Sequence, residues 1–201
     1  MDRHDWDNRY TAVELVWSAE PNRFLVPQVA HLSPGRVLDV ACGEGRNAIW
    51  LGERGWDVTG VDFSTVAIEK AGRLAEGRGV HGTWRVLDVV HESLGTAEYD
   101  LALLFYLQLP ADERRRAVRN ALDALRPGGT ILVVGHDSAN IEHGWGGPQD
   151  PTVLYSPEDL VADMGNRVLI ERAERVDRPV ETDDGIRVAI DALVRARTAD
   201  P

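Results

Sequence analysis

The sequence predicts an α/β fold built on a doubly wound, mostly parallel sheet. Three observations carry that reading. Residues 37–64, VLDVACGEGRNAIWLGERGWDVTGVDFS, run as apolar strand, glycine turn, helix and second strand. Strand-like and helix-like segments then alternate up to residue 135, the pattern of successive βα units. Leu101-Ala-Leu-Leu-Phe105 is continuously apolar, as a central strand covered on both faces must be.

The elements follow in order. Residues 5–32 read as mostly helical, in two pieces broken at Pro21, giving a helical cover over 1–32. A strand over 36–41 places Val37, Leu38, Val40 and Ala41 in the core, and Gly43 and Gly45 let the backbone turn close to a ligand. A helix over 46–54 stops at Gly55, and the strand over 57–62 ends on Asp62, at the sheet edge where such folds bind ligands. Helices over 64–76 and 111–126 and strands over 83–88, 99–105 and 130–135 complete the sheet. Residues 136–156, with Gly144, Gly146, Gly147, Pro148 and Pro151, form a loop on the substrate side. Ser156 and Pro157 start a short helix ending near Gly165. Strands over 168–176 and 186–195 close the chain through a turn at Asp183-Asp184-Gly185. In the second of these, Ile186, Val188, Ile190, Ala192 and Val194 alternate at period two.

Gly43, Gly45 and Ala48, with Asp62 further on, satisfy the G-x-G-x-x-G/A dinucleotide fingerprint. A nicotinamide-dependent oxidoreductase is therefore one reading of this segment. Asp39, four residues before Gly43, counts against it, because a carboxylate sits poorly beside a pyrophosphate but can hold water or an ammonium group. Asp88 lies at the end of the third predicted strand, where it could meet an adenine amine while Asp62 takes a ribose diol. Arg126-Pro127-Gly128-Gly129 turns a helix into the fifth strand.

Taken together these residues resemble the class I S-adenosylmethionine-dependent methyltransferases. Asp39-Val-Ala-Cys-Gly43-Glu-Gly45 matches their D-x-x-x-G-x-G loop, Asp62 their ribose acid, Asp88 their adenine-site acid and Pro127-Gly128-Gly129 their turn before the fifth strand. Gly43-Glu-Gly-Arg-Asn-Ala48, Gly60-Val-Asp-Phe-Ser64 and an aromatic amino-terminal segment look closest to small bacterial enzymes related to tellurite-resistance and thiopurine methyltransferases. The resemblance implies a Rossmann-like sheet with one antiparallel strand near the carboxyl terminus, in a single domain over 1–201. It implies S-adenosylmethionine as cofactor, held by Trp17, Asp39, Ala41, Gly43, Gly45, Asp62, Phe63, Asp88, Val89 and Phe105. Trp6, Tyr10 and Trp17 are the aromatics available to face a sulfonium, with packing the simpler role for Trp6. Such a donor is already activated, so alignment and water exclusion dominate, with proton removal where the acceptor needs it. Tyr106, at the end of the fourth strand, is expected to touch the substrate, and His136 either to act as a base or orient the nucleophile, or to hold the loop after the fifth strand by hydrogen bonding. A cofactor-binding module without catalysis is the alternative outside the enzymes.

Composition narrows the acceptor. The 201 residues suit one domain with a full core. No apolar run approaches the roughly 20 residues that span a bilayer, so no membrane partner is expected. The polar, acidic opening and the lone Cys42 point to the cytoplasm. With 33 acids against 22 bases, a net charge of −11 and Lys70 as the only lysine, a nucleic-acid substrate is disfavoured. Arg114, Arg115, Arg116 and Arg119 read as a solvated helix face beside Asp112 and Glu113. A small-molecule substrate is expected. His136, Asp137, Glu142 and His143 have no regular metal spacing, so no metal is expected.

Overall fold

The computed structural model describes residues 3–16 and 18–199. The strands, β1 (Arg36–Val40), β2 (Asp57–Asp62), β3 (Gly82–Val86), β4 (Tyr99–Phe105), β5 (Leu125–His136), β6 (Val168–Thr182) and β7 (Gly185–Thr198), form one sheet in the order β3-β2-β1-β4-β5-β7-β6. The first five run parallel, and β7 is antiparallel to both β5 and β6. This is the expected Rossmann-like architecture. Strand order reverses between β1 and β4, which opens a crevice at their carboxyl ends.

Alternation along the central strands explains why both faces are covered. Leu101, Leu103 and Phe105 of β4 pack with α2 (Leu25–Val29) and α3 (Arg46–Gly52). Ala102 and Leu104 face the other way, towards α5 (Ala111–Ala124) and α7 (Pro157–Met164). The helix α4 (Thr65–Gly77) is capped by Ser64, whose hydroxyl accepts the Ala67 N–H. Ser156 and Asp159 form a reciprocal capping box at the start of α7, with Pro157 in its first turn. No helix among the described residues is long and apolar enough to cross a membrane.

Four departures from expectation bear on the site. The amino-terminal segment is less helical than its composition suggests: α1 spans Arg3–Ala12, and 13–24 is irregular before α2. Backbone groups there are satisfied instead by side chains of the glycine loop and of the helices α3 and α4. The Val16 N–H donates to Glu44, the Asn22 N–H donates to Asn47, and Lys70 Nζ donates to the carbonyls of Tyr10, Val13 and Glu14. Second, β3 stops at Val86, leaving Asp88 in the turn beyond it. Third, β6 and β7 are much longer than predicted. Their pairing with each other continues to Thr182 and Gly185, whereas β5 leaves β7 at His136 opposite Asp191. The hairpin tip therefore overhangs the sheet, which is why Ile186 and Val188 are exposed while Ala192, Leu193 and Val194 are all buried.

Fourth, the arginine cluster of α5 is not one solvated face. Arg114 is buried and its Nε lies 2.6 Å from Oδ2 of the equally buried Asp163 of α7. Arg115 reaches the other oxygen of Asp163 at 3.3 Å, and Arg116 and Arg119 remain exposed.

Candidate active site

A cleft of about 1230 Å³ opens at the carboxyl ends of β1, β2 and β4. Its floor is the glycine loop. Gly43 has φ +54° and lines the cleft without a Cβ in the way. Gly45 has φ +78° and caps α3, but it does not line the cleft. A Cβ on it would come within 2.8 Å of the Trp84 indole, so this glycine admits Trp84 behind the loop. Gly60 faces the same ring, at 2.4 Å from a hypothetical Cβ.

Two buried carboxylates shape the floor. Asp62 Oδ2 accepts the Gly43 N–H and Oδ1 accepts the Ser64 N–H, both at 2.9 Å. Burial raises the Asp62 pKa, and these two N–H groups oppose the rise. Asp39, at 2% exposure, accepts the Ala48 N–H at 3.2 Å and so caps α3 from outside the helix. Burial lifts the Asp39 pKa to about 7, with the Ala48 hydrogen bond and Arg46 pulling it down and Asp62 pushing it up. The folded value lies above the ordinary one, so ionising Asp39 costs folding stability as pH rises from about 4 towards 7.

The remaining walls bring the other predicted residues together. Ala41, Phe63, Asp88, Val89 and Phe105 all line the cleft. Asp88 accepts the Val90 N–H and pairs with His91 Nδ1 at 3.0 Å. Its partial burial is outweighed by these bonds, which hold its carboxyl below the usual range. Trp6 and Tyr10 of α1 stack at 5.6 Å between centroids and line the cleft together. Trp17 lies outside the described residues.

Opposite the glycine loop, Tyr106 and His136 meet, their ring centroids 4.9 Å apart. Tyr106 has φ +58°, a left-handed conformation held by its N–H donating to the Val134 carbonyl at 2.7 Å. Its hydroxyl donates to Asp191 Oδ2 at 2.7 Å. Burial, and then the charge of Asp191, raise the Tyr106 pKa, so the phenol is a donor rather than a base. The His136 N–H donates to Gln108, and its Nδ1 lies 3.3 Å from Asp191 Oδ1.

Two residues here are absent from the sequence-based set. Asp191 is fully buried, and Arg178 donates from Nε to its Oδ2 at 2.7 Å. Burial works against the Asp191 charge, yet hydrogen bonds from His136, Arg178 and Tyr106 hold the carboxyl below its ordinary range. The sequence signal was present: one acid interrupts Val188-Ala-Ile-Asp191-Ala-Leu-Val194, an otherwise apolar strand. Arg178 belongs to the overhanging hairpin and, with Pro179 and Val180, roofs the cleft beside Trp145, Gly146 and Gly147 of the loop after β5. That loop is anchored rather than loose. It contains α6 (Asn140–His143), and the Asn140 side chain bonds both Gly146 and Ile190. Among the described residues no three metal-ligating side chains converge, and Asp137 instead pairs with Arg175 at 3.0 Å.

Comparison with known proteins bears on the fold and on the segment that carries the glycine loop. Residues 37–129 match a family described as "Methyltransferase domain". The ribosomal RNA small subunit methyltransferase C of Chromohalobacter salexigens is 36% identical over 104 residues, 49% of this chain and 31% of that protein. The chain thus spans about a third of the length of such relatives. TehB from Haemophilus influenzae shares the fold with a TM-score of 0.75 at 18% identity, over 96% of this chain and 66% of its own. The N-methyltransferase NodS from Bradyrhizobium japonicum, solved with S-adenosyl-L-homocysteine, gives a TM-score of 0.74 at 19% identity, over 98% and 97%. The side chains around the loop fit that cofactor class: a Cβ-free approach at Gly43, a carboxylate for a diol at Asp62, and a buried acid for a cation at Asp39. Residues 37–129 are accordingly similar in sequence to a methyltransferase domain, on a fold shared with a solved N-methyltransferase.

Proposed function

We propose that this protein transfers the methyl group of S-adenosylmethionine to a nucleophilic atom of a small molecule. The observation that carries the proposal is the gathering of Tyr106, His136 and Arg178 around Asp191, facing the glycine loop across a roofed cleft. When bound, the cofactor supplies a methyl group activated by a sulfonium. Asp62 orients the ribose end, and Asp39 meets the ammonium of the amino-acid end. The Trp6–Tyr10 stack offers aromatic faces to the positive sulfur, each worth roughly 0.5–2 kcal/mol. Tyr106 positions the acceptor, and His136 receives its proton where one must leave. The hairpin and the loop after β5 keep water out.

The roof over the cleft favours a small acceptor, and its volume of about 1230 Å³ holds the cofactor with room for a second small molecule beside it. The charge balance of −11 argues against an RNA strand, although some relatives are named for RNA. The lone cysteine suits a cytoplasmic setting. Incubating the protein with methyl-labelled S-adenosylmethionine and a fractionated cell extract tests the reading. Label is expected in a small-molecule fraction; label confined to RNA, or none transferred despite tight cofactor binding, overturns it.

Asp39 adds a pH signature. A cation bound beside it draws off its proton, so cofactor affinity should rise about tenfold between pH 5.5 and 7. Calorimetry on Asp39→Asn should show that slope flattened; an unchanged slope would remove Asp39 from the cofactor's cationic end.

A further inference from the structure

We infer that Asp191 is the positioning residue for methyl transfer, and that the acceptor atom carries a proton it must lose, as in a hydroxyl, phenol, thiol or amine, rather than being an ionised carboxylate. The inference rests on the methyl-transfer reading and deepens it.

The register of the sheet makes the arrangement. Asp191 of β7 is paired directly with His136 of β5, so the two side chains share a face. On β6, Val176 stands opposite Asp191, and Arg178, two residues on, returns to that face as a diagonal neighbour. Tyr106 reaches the same carboxylate from the end of β4. Three elements of chain thus converge on one fully buried acid carried by a fourth.

A buried carboxylate needing three partners is a poor choice for stability, because an apolar residue in its place would pack at least as well. What it does provide is an oriented imidazole. His136 Nδ1 lies 3.3 Å from Asp191 Oδ1, and Arg178 Nη2 lies 3.5 Å from the same nitrogen. The guanidinium can only donate, and the carboxylate is both nearer and opposite in charge to a shared proton. Nδ1 therefore carries its hydrogen towards Asp191, and the lone pair sits on Nε2. Gly147 leaves room for the ring, since a Cβ there would come within 3.0 Å of Nδ1. Tyr106 and Arg178 both donate to Oδ2, so Asp191 stays ionised beside the imidazolium that forms.

The acceptor's X–H proton passes to Nε2 of His136. The electron pair on X forms the bond to the methyl carbon, and the bond from carbon to sulfur breaks with its pair left on sulfur. An ionised carboxylate has no proton to give and would need none of this apparatus.

Two measurements test it. In protein labelled with nitrogen-15 at histidine and saturated with S-adenosylhomocysteine, His136 is expected as the Nδ1–H tautomer, and Asp191→Asn should shift it towards Nε2–H. Cofactor affinity should stay within twofold while kcat falls roughly 100-fold or more. An unchanged tautomer, or an unchanged kcat, overturns the role of Asp191. The labelled small-molecule product should survive mild alkali, whereas release of labelled methanol, the mark of a methyl ester, overturns the acceptor class. Absence of any labelled product is a different failure and counts against methyl transfer itself, while the tautomer still decides the geometry.

Discussion

Asp62→Ala is expected to weaken S-adenosylmethionine binding at least tenfold, read by calorimetry. The Asp62 carboxylate bridges the Gly43 N–H of the loop and the Ser64 N–H at the start of α4, while lining the cleft. Removing it deletes a diol partner and also leaves two donors unpaired. Hydrogen bonds to a charged group contribute roughly 1.5–3 kcal/mol each, so the loss of even one accounts for tenfold. Asp62→Asn should fall between, because one amide oxygen still accepts from one N–H. A dissociation constant within twofold of wild type, or stronger binding of NADH than of S-adenosylmethionine to the wild-type protein, would show that this floor is built for another ligand.

Arg114→Ala should lower folding stability by about 3 kcal/mol, read from the denaturant midpoint at constant slope. The substitution leaves Asp163, 2% exposed, with only the long contact from Arg115. It also removes the guanidinium over the Tyr155 ring, 5.2 Å from its centroid. The size of the effect comes from the orphaned charge rather than from the pair. The double variant Arg114→Met with Asp163→Leu should therefore regain most of the loss. If the double variant is no better than the single, packing and not charge governs this contact.

These two residues mark the boundary of what could be read from the chain alone. Asp62 was legible because its signal is local: a strand, two glycines and an acid within one βα unit. The five parallel strands were legible for the same reason. Arg114 was misread because its charge masks its phase. It is in step with Ala117, Val118 and Ala121 on the buried face of α5, but the acid that permits this lies on another helix. Asp191 left one mark, a single acid in an apolar strand, but the partners that give it meaning come from other strands. Arg178 escaped because its place depends on how far the hairpin overhangs β5, and register between strands leaves no local mark. The irregular stretch over 13–24 was read as helix because its backbone partners, Glu44, Asn47 and Lys70, are remote in sequence. Of the aromatic cover, Trp6 and Tyr10 face the cleft, and Trp17 is outside the described residues.

Lys70 gives the amino-terminal segment a property beyond anchoring. Its Nζ is gripped by the carbonyls of Tyr10, Val13 and Glu14 and by Glu44, 3.2 Å away on the cofactor loop. It is also the only lysine side chain in the sequence. A reagent that acylates amines therefore has one side-chain target, shielded for as long as the segment stays down. The rate at which Lys70 is acylated becomes a clock for the lifting of that segment, and the slowing of the clock by cofactor measures how firmly the two are coupled.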